Sequence, residues 1–155
     1  MTRSMQAALL LLLAALLSAC QPAQPAKISG AVRLQSAAGI VFPPAEVKLM
    51  DPSIDQNDPK AVIGLVKTDA QGRYEFADLK PGSYTLGITN HMPSGVQCEP
   101  PGYLQLPPWL VGAAYQNQAD GSVLPVLMAV YDAPIVAEAG AELQFDFELP
   151  IRCAQ

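Results

Sequence analysis

The residues of this chain that could do chemistry are few. Cys20, Cys98 and Cys153 are its only cysteines and offer thiols for acylation, disulfide formation or metal binding. His91, the single histidine, could be a base or a ligand, but no aspartate or cysteine stands at the spacing of a proton relay or a zinc site. Asp51, Asp55 and Asp58 crowd three carboxylates into the loop DPSIDQNDP, and oxygen-rich loops can hold calcium. Their spacing departs from an EF-hand, which needs ligands at alternate positions and a glycine in its sharp turn, so a solvated acidic loop is the alternative. Tyr103, Trp109 and Tyr115 gather rings in and just after a proline-rich stretch. Rings on a loop can stack on a sugar; equally, they can plug the end of a core. No nucleophile–base pair or metal cluster emerges, so the chain is expected to be no enzyme and to need no cofactor.

The chain is acidic, with nine basic residues against fourteen acidic ones, which leaves no electrostatic footprint for nucleic acid. Its first 19 residues read as a secretory signal: Arg3 is the positive start, Ala7 to Leu17 is an unbroken apolar run, and small residues precede Cys20. The run is too short to span a bilayer stably. Leu17-Ser18-Ala19-Cys20 resembles the bacterial lipobox, which implies cleavage before Cys20 and acylation of that cysteine, giving a membrane-anchored lipoprotein. Acyl chains contribute about 0.8 kcal/mol per buried methylene, so two or three of them make a lasting anchor. Gln21 follows the cysteine rather than an inner-membrane retention aspartate, and the expected location is the outer membrane, facing periplasm or exterior. Residues 20–26 would then be a short lipidated tether, QPAQPA after the cysteine, extended for roughly two nanometres at most. In an exported domain the two remaining cysteines, Cys98 and Cys153, most simply form a disulfide. It would close a loop worth about 4 kcal/mol in the chain-entropy model and pin the last strand to the long loop.

Around these residues the chain is written in strands. Ile28, Gly30, Val32 and Leu34 alternate with Ser29, Ala31 and Arg33; Val47 and Leu49 mark a second strand over 45–50, and 61–67 is a third. Thr68 to Leu86, TDAQGRYEFADLKPGSYTL, is the organising stretch. Asp69, Gln71 and Gly72 make a tight reversal, Tyr74 and Phe76 form one face of a strand, Pro81-Gly82 fits the centre of a type II turn, and Tyr84, Leu86 and Ile88 resume the alternation. Residues 110–115 and 123–131 can each be strands, the second apolar on both faces and hence central or covered. Pro125 requires that this strand be an edge there or begin after it. No helical periodicity appears, which is the pattern of an all-β sandwich.

The order I-S-G-x-V from Ile28, then A-E-V-K-L from Ala45, then D-x-x-G-x-Y-x-F-x-x-L-x-P-G-x-Y from Asp69 resembles the carboxypeptidase regulatory-like modules. These are similar to collagen-adhesin B-type repeats and transthyretin-like sandwiches. The resemblance covers about Lys27 to Thr89, and Val136 to Leu149 is similar to the family's closing strand. It implies one seven-stranded-type Greek-key sandwich over 27–153, interrupted by a proline-rich insertion at about 90–108. Catalysis is not implied: the peptidase activity of carboxypeptidases belongs to a separate zinc domain, and the transthyretin-like hydrolases use several histidines. The adhesin repeats' isopeptide bond is also not expected, because the first strand carries Arg33 where a lysine nucleophile is needed. The expected role is structural or adhesive, in contact with another envelope protein. The alternative is a carbohydrate-binding module that takes a cell-surface glycan on the insertion's aromatic residues.

Overall fold

In the computed structural model the described residues are 23–36, 42–92, 97–99, 104–117, 120–121 and 123–154. Cys20, the signal segment and Tyr103 lie outside them. The chain runs through β1 (Ala26–Ser36), β2 (Glu46–Met50), a 3₁₀ turn (Pro59–Ala61), β3 (Val62–Lys67), β4 (Arg73–Leu79), β5 (Gly82–His91), β6 (Gln97–Glu99), β7 (Leu104–Leu106), β8 (Trp109–Asn117), β9 (Val123–Tyr131), β10 (Ile135–Ala137), β11 (Glu142–Gln144) and β12 (Phe147–Ala154).

These strands make two sheets, as the alternation requires. The smaller has the order β11-β1-β12-β6, with β4 also paired to β1; the larger runs β3-β2-β5-β9-β8-β7, with β10 beside β5. Inward residues of both close a single core whose largest fully buried side chains are Phe147, Ile28, Leu49, Leu86, Leu127, Val47 and Val111. Each such side chain contributes roughly 1.5–3 kcal/mol by leaving water. Tyr74, Phe76 and Tyr84 face inward as their alternation predicts, and the Tyr84 hydroxyl donates to the Lys80 carbonyl to hold the corner before β5.

The first turn is built as its residues dictate. Gly72 takes φ +77°, its N–H donates to the Asp69 carbonyl at 2.9 Å, and its own carbonyl accepts from Val32 N–H at 2.8 Å. A Cβ there would stand 2.3 Å from the Val32 carbonyl oxygen, so only glycine lets the turn lie on β1.

The second turn differs from the expectation. Gly82 is extended and pairs with Ala137, whereas Asp78, at φ +55°, lies inside β4 where the register with β1 shifts between Ala26 and Ile28. The short polar side chain of aspartate tolerates that conformation, so the left-handed residue belongs to a bulge in β4, and the reversal over Lys80-Pro81 needs no positive φ at Gly82.

The closing segment is also broken where its alternation reads as continuous. β11 pairs in parallel with Lys27–Ser29 and β12 with Val32–Ser36, and between them Phe145 N–H donates to the Ser29 carbonyl at 2.8 Å. Asp146 Oδ1 accepts from Ala31 N–H at 2.9 Å, so a side chain replaces a backbone acceptor at the break. Gly30 sits at this crossing, with the Phe145 carbonyl oxygen 1.7 Å from where a Cβ would be.

Within the insertion lie two three-residue strands, β6 and β7, each at the end of its sheet, where proline-rich sequence is tolerated. β9 is central, between β5 and β8, which accounts for its two apolar faces. Its pairing with β5 begins at Val126, immediately after Pro125, while Pro125 itself pairs only with Tyr115 of β8. Pro125 therefore lies on the part of β9 that is flanked by β8 alone.

Candidate functional site

Trp109 opens β8 and points into the core. It is 4% exposed and meets Tyr131 and Phe147 edge-on, each at 5.2 Å between ring centroids. This corrects the sugar-stacking reading of Trp109: its ring is enclosed between Tyr131 of its own sheet and Phe147 of the opposite one, and presenting it to a ligand would mean opening the sandwich. Tyr115 is placed by its backbone in β8, opposite Pro125, and is not brought beside Trp109 in the sequence of pairs along that strand.

The acidic loop is organised by local turns. Asp51 Oδ1 accepts from the Ser53 N–H and hydroxyl, Asp55 Oδ1 from the Asn57 N–H and amide, and Asp58 Oδ1 from Lys60 N–H. The Ser53 hydroxyl and N–H hold the Asp51 carboxyl below the usual carboxylate range. Each carboxylate thus caps its own bend, and among the described residues no group of three or more acidic, histidine or cysteine side chains gathers as a metal site. His91 lies at the end of β5 opposite Val126, and its Nδ1 is buried without a partner among the described residues.

The two outer faces of the sandwich contrast sharply in chemistry. On the smaller sheet, Lys27 Nζ reaches Glu142 at 3.6 Å and Glu75 at 3.9 Å, and Arg33 Nη1 lies 4.0 Å from Asp146. Arg73 Nε donates to Asp69 Oδ2 at 3.0 Å, while Asp69 Oδ1 accepts from the Arg73 and Gln71 N–H groups. Those bonds, led by the Arg73 N–H, hold the Asp69 carboxyl below its ordinary value. Burial, with the Asp146 charge adding to it, pushes the Tyr74 phenol well up; its hydroxyl donates to the Phe145 carbonyl at 2.7 Å. Two shallow clefts of about 520 Å³ each meet here and share Arg33 and Asp69. The second cleft adds Phe42, Gln71 and Asn90, whose Nδ2 donates to the Pro43 carbonyl and whose Oδ1 is buried without a partner among the described residues.

The larger sheet's outer face is mostly apolar. Register carries one row across it from Leu65 to Lys48, Gly87, Val130 and Leu110. Met128 is 39% exposed on the same face, and among the described residues the charges are confined to Lys48 and to the Lys67–Glu46 pair at 3.8 Å. At its edge is β3, where Ile63 and Leu65 are each 54% exposed. Gly64 and Val66 take the inward positions, and a Cβ at Gly64 would stand 3.2 Å from the Phe76 ring, close enough that the ring would have to shift by a few tenths of an ångström.

Sequence reasoning placed this strand but not its exposed surface. Val62-Ile63-Gly64-Leu65-Val66 is apolar on both faces, which by itself suggests a central strand. The signal that could have found it was the conflict between that composition and an inward glycine.

Fold and surface together define a two-sheet β-sandwich domain with one charged and one apolar outer face. No family model matches the chain, and no curated protein gives a significant match. Among solved structures it is similar to a candidate carbohydrate-binding protein from Pseudomonas aeruginosa, at 17% identity and TM-score 0.42, covering 86% of this chain and 94% of that one. It is also similar to a Cyanothece 9R-lipoxygenase, at 15% identity and TM-score 0.34, covering 84% of this chain and 17% of that one.

Proposed function

We propose that this chain is a non-catalytic contact module of a bacterial envelope, held to the membrane by lipidated Cys20 and offering β3 to an extended segment of a partner protein. The observation that carries the reading is the exposure of Ile63 and Leu65 on a strand that ends its sheet. An edge strand leaves one row of backbone donors and acceptors without strand partners, and natural edges usually blunt that template with charge or proline. Here the strand carries neither until Lys67. A partner strand could take the backbone groups and bury both side chains, the mode known as β-augmentation. The signal-like start and the Leu17-Ser18-Ala19-Cys20 motif support the anchor, and the likeness of 27–89 to carboxypeptidase regulatory-like modules belongs to the same reading.

A photo-crosslinking residue at position 65, in cells that export the full chain, tests it. One discrete protein adduct is expected, lost in Ile63→Lys/Leu65→Lys and depleted when Cys20→Ser releases the chain to the soluble fraction. An adduct that survives both β3 changes sinks the edge reading, and a Cys20→Ser chain still firmly in the membrane sinks the anchor. The glycan alternative draws on the polar clefts around Arg33 and Asp69 rather than on Trp109. It predicts polysaccharide retention that Arg33→Ala abolishes and the β3 changes leave intact.

A further inference from the structure

β6 and β12 pair antiparallel, and their register sets Cys98 directly opposite Cys153 and Glu99 opposite Arg152. Directly opposed residues of an antiparallel pair have Cα atoms about 4.5 or 5.5 Å apart, depending on whether they exchange hydrogen bonds. Both values lie within the range of about 4.4–6.8 Å that a disulfide spans. The neighbouring position pairs opposite charges at the same register, and a slip by one residue would lose both matches together. We infer that Cys98 and Cys153 form a cross-strand disulfide that latches β6 onto the last strand.

The latch has a use in this fold. β6 ends the smaller sheet and covers the far side of β12, yet it contributes only three residue pairs. So short a strand is a weak cover for an edge. A covalent link makes the cover permanent, while β3, at one end of the other sheet, has no such link. In forming the bond each cysteine loses one proton and one electron. The acceptor is a disulfide-bearing oxidant, whose own S–S bond breaks to two thiols after exchange through a mixed disulfide. An oxidising compartment is what the export reading supplies, and the register is independent of it.

The test uses the full chain, exported and extracted from membranes, alkylated in denaturant without reduction, then digested and weighed. The expected result is a Cys98 peptide joined to a Cys153 peptide, two hydrogens lighter than the sum of the free pair. Two alkylated thiols in a chain whose Cys20 peptide carries the lipid would overturn the inference. If Cys20 is unmodified, the export reading has failed, and the folded chain is instead oxidised with glutathione disulfide. The link between Cys98 and Cys153 is again expected, and a glutathione adduct or a dimer through either of these two would overturn it, whereas an adduct on Cys20 would not. As a second readout, reduction should raise the rate of proteolysis within 92–108 several-fold, and Cys98→Ser should show the raised rate in either redox state. Equal rates throughout would also defeat the latch.

Discussion

Trp109 shows how a residue type can suggest one chemistry while its environment imposes another. A tryptophan beside a run of prolines invites a sugar, but here the indole is enclosed by Tyr131 from its own sheet and Phe147 from the other. Large-to-small changes at such positions cost the transfer energy of the ring and the cavity it leaves, about 3–5 kcal/mol. Trp109→Ala is therefore expected to lose roughly that much in urea unfolding, a large part of the stability of a domain this size. In the native chain the emission should be that of a buried indole and should not move as envelope polysaccharides are titrated in. A near-neutral Trp109→Ala change, or a saturable spectral shift, would show that the ring is available after all.

At the scale of elements the reversal from β3 to β4 is the best-determined piece. Asp69 bonds two backbone N–H groups and the Arg73 guanidinium, so Asp69→Ala should lower the denaturant midpoint of unfolding near neutral pH by removing three charge-assisted bonds at once from an exposed turn. The carboxyl is held below its ordinary 3.8 in the fold, so the unfolded chain takes up the proton first. Its stabilising contribution is complete above the unfolded value and is lost as pH falls through the depressed folded value. The gap between the parent chain and Asp69→Ala should narrow below about pH 4, and a gap constant down to pH 2 would contradict this assignment. This turn was legible in the sequence because Asp69, Gly72, Tyr74 and Phe76 each answer a local requirement. Asp78 and Asp146 were not, since the bulge in β4 and the break between β11 and β12 are both set by pairing with β1. The pairing of β12 with β6 rests on contacts more than fifty positions apart, which local alternation does not encode. Trp109 was left between a sugar platform and a core plug for the same reason: the enclosing Phe147 arrives from the other end of the chain.

Over the whole molecule, the two outer faces have been given different work by the placement of charge. The smaller sheet spends Lys27, Arg33, Glu75, Glu142 and Asp146 on mutual pairs, and exposed pairs of this kind contribute little stability while keeping the face wetted. The larger sheet has a row that is apolar but for Lys48 and, at its edge, two half-exposed branched side chains on a strand with no charge of its own before Lys67. A chain with that edge and no partner should use itself as one. The full-length Cys20→Ser chain, which lacks the acylation site but keeps the whole domain, is expected to be monomeric when dilute and to associate as concentration rises, because the unpaired groups of one β3 can satisfy those of another. Ile63→Lys with Leu65→Lys should abolish the association in sedimentation analysis while shifting the unfolding midpoint little, as both side chains already face water. If that double variant associates as strongly as its parent, the contact lies elsewhere. If it unfolds several kcal/mol more easily, Ile63 and Leu65 are covered by the chain's own residues, and β3 is a core strand after all.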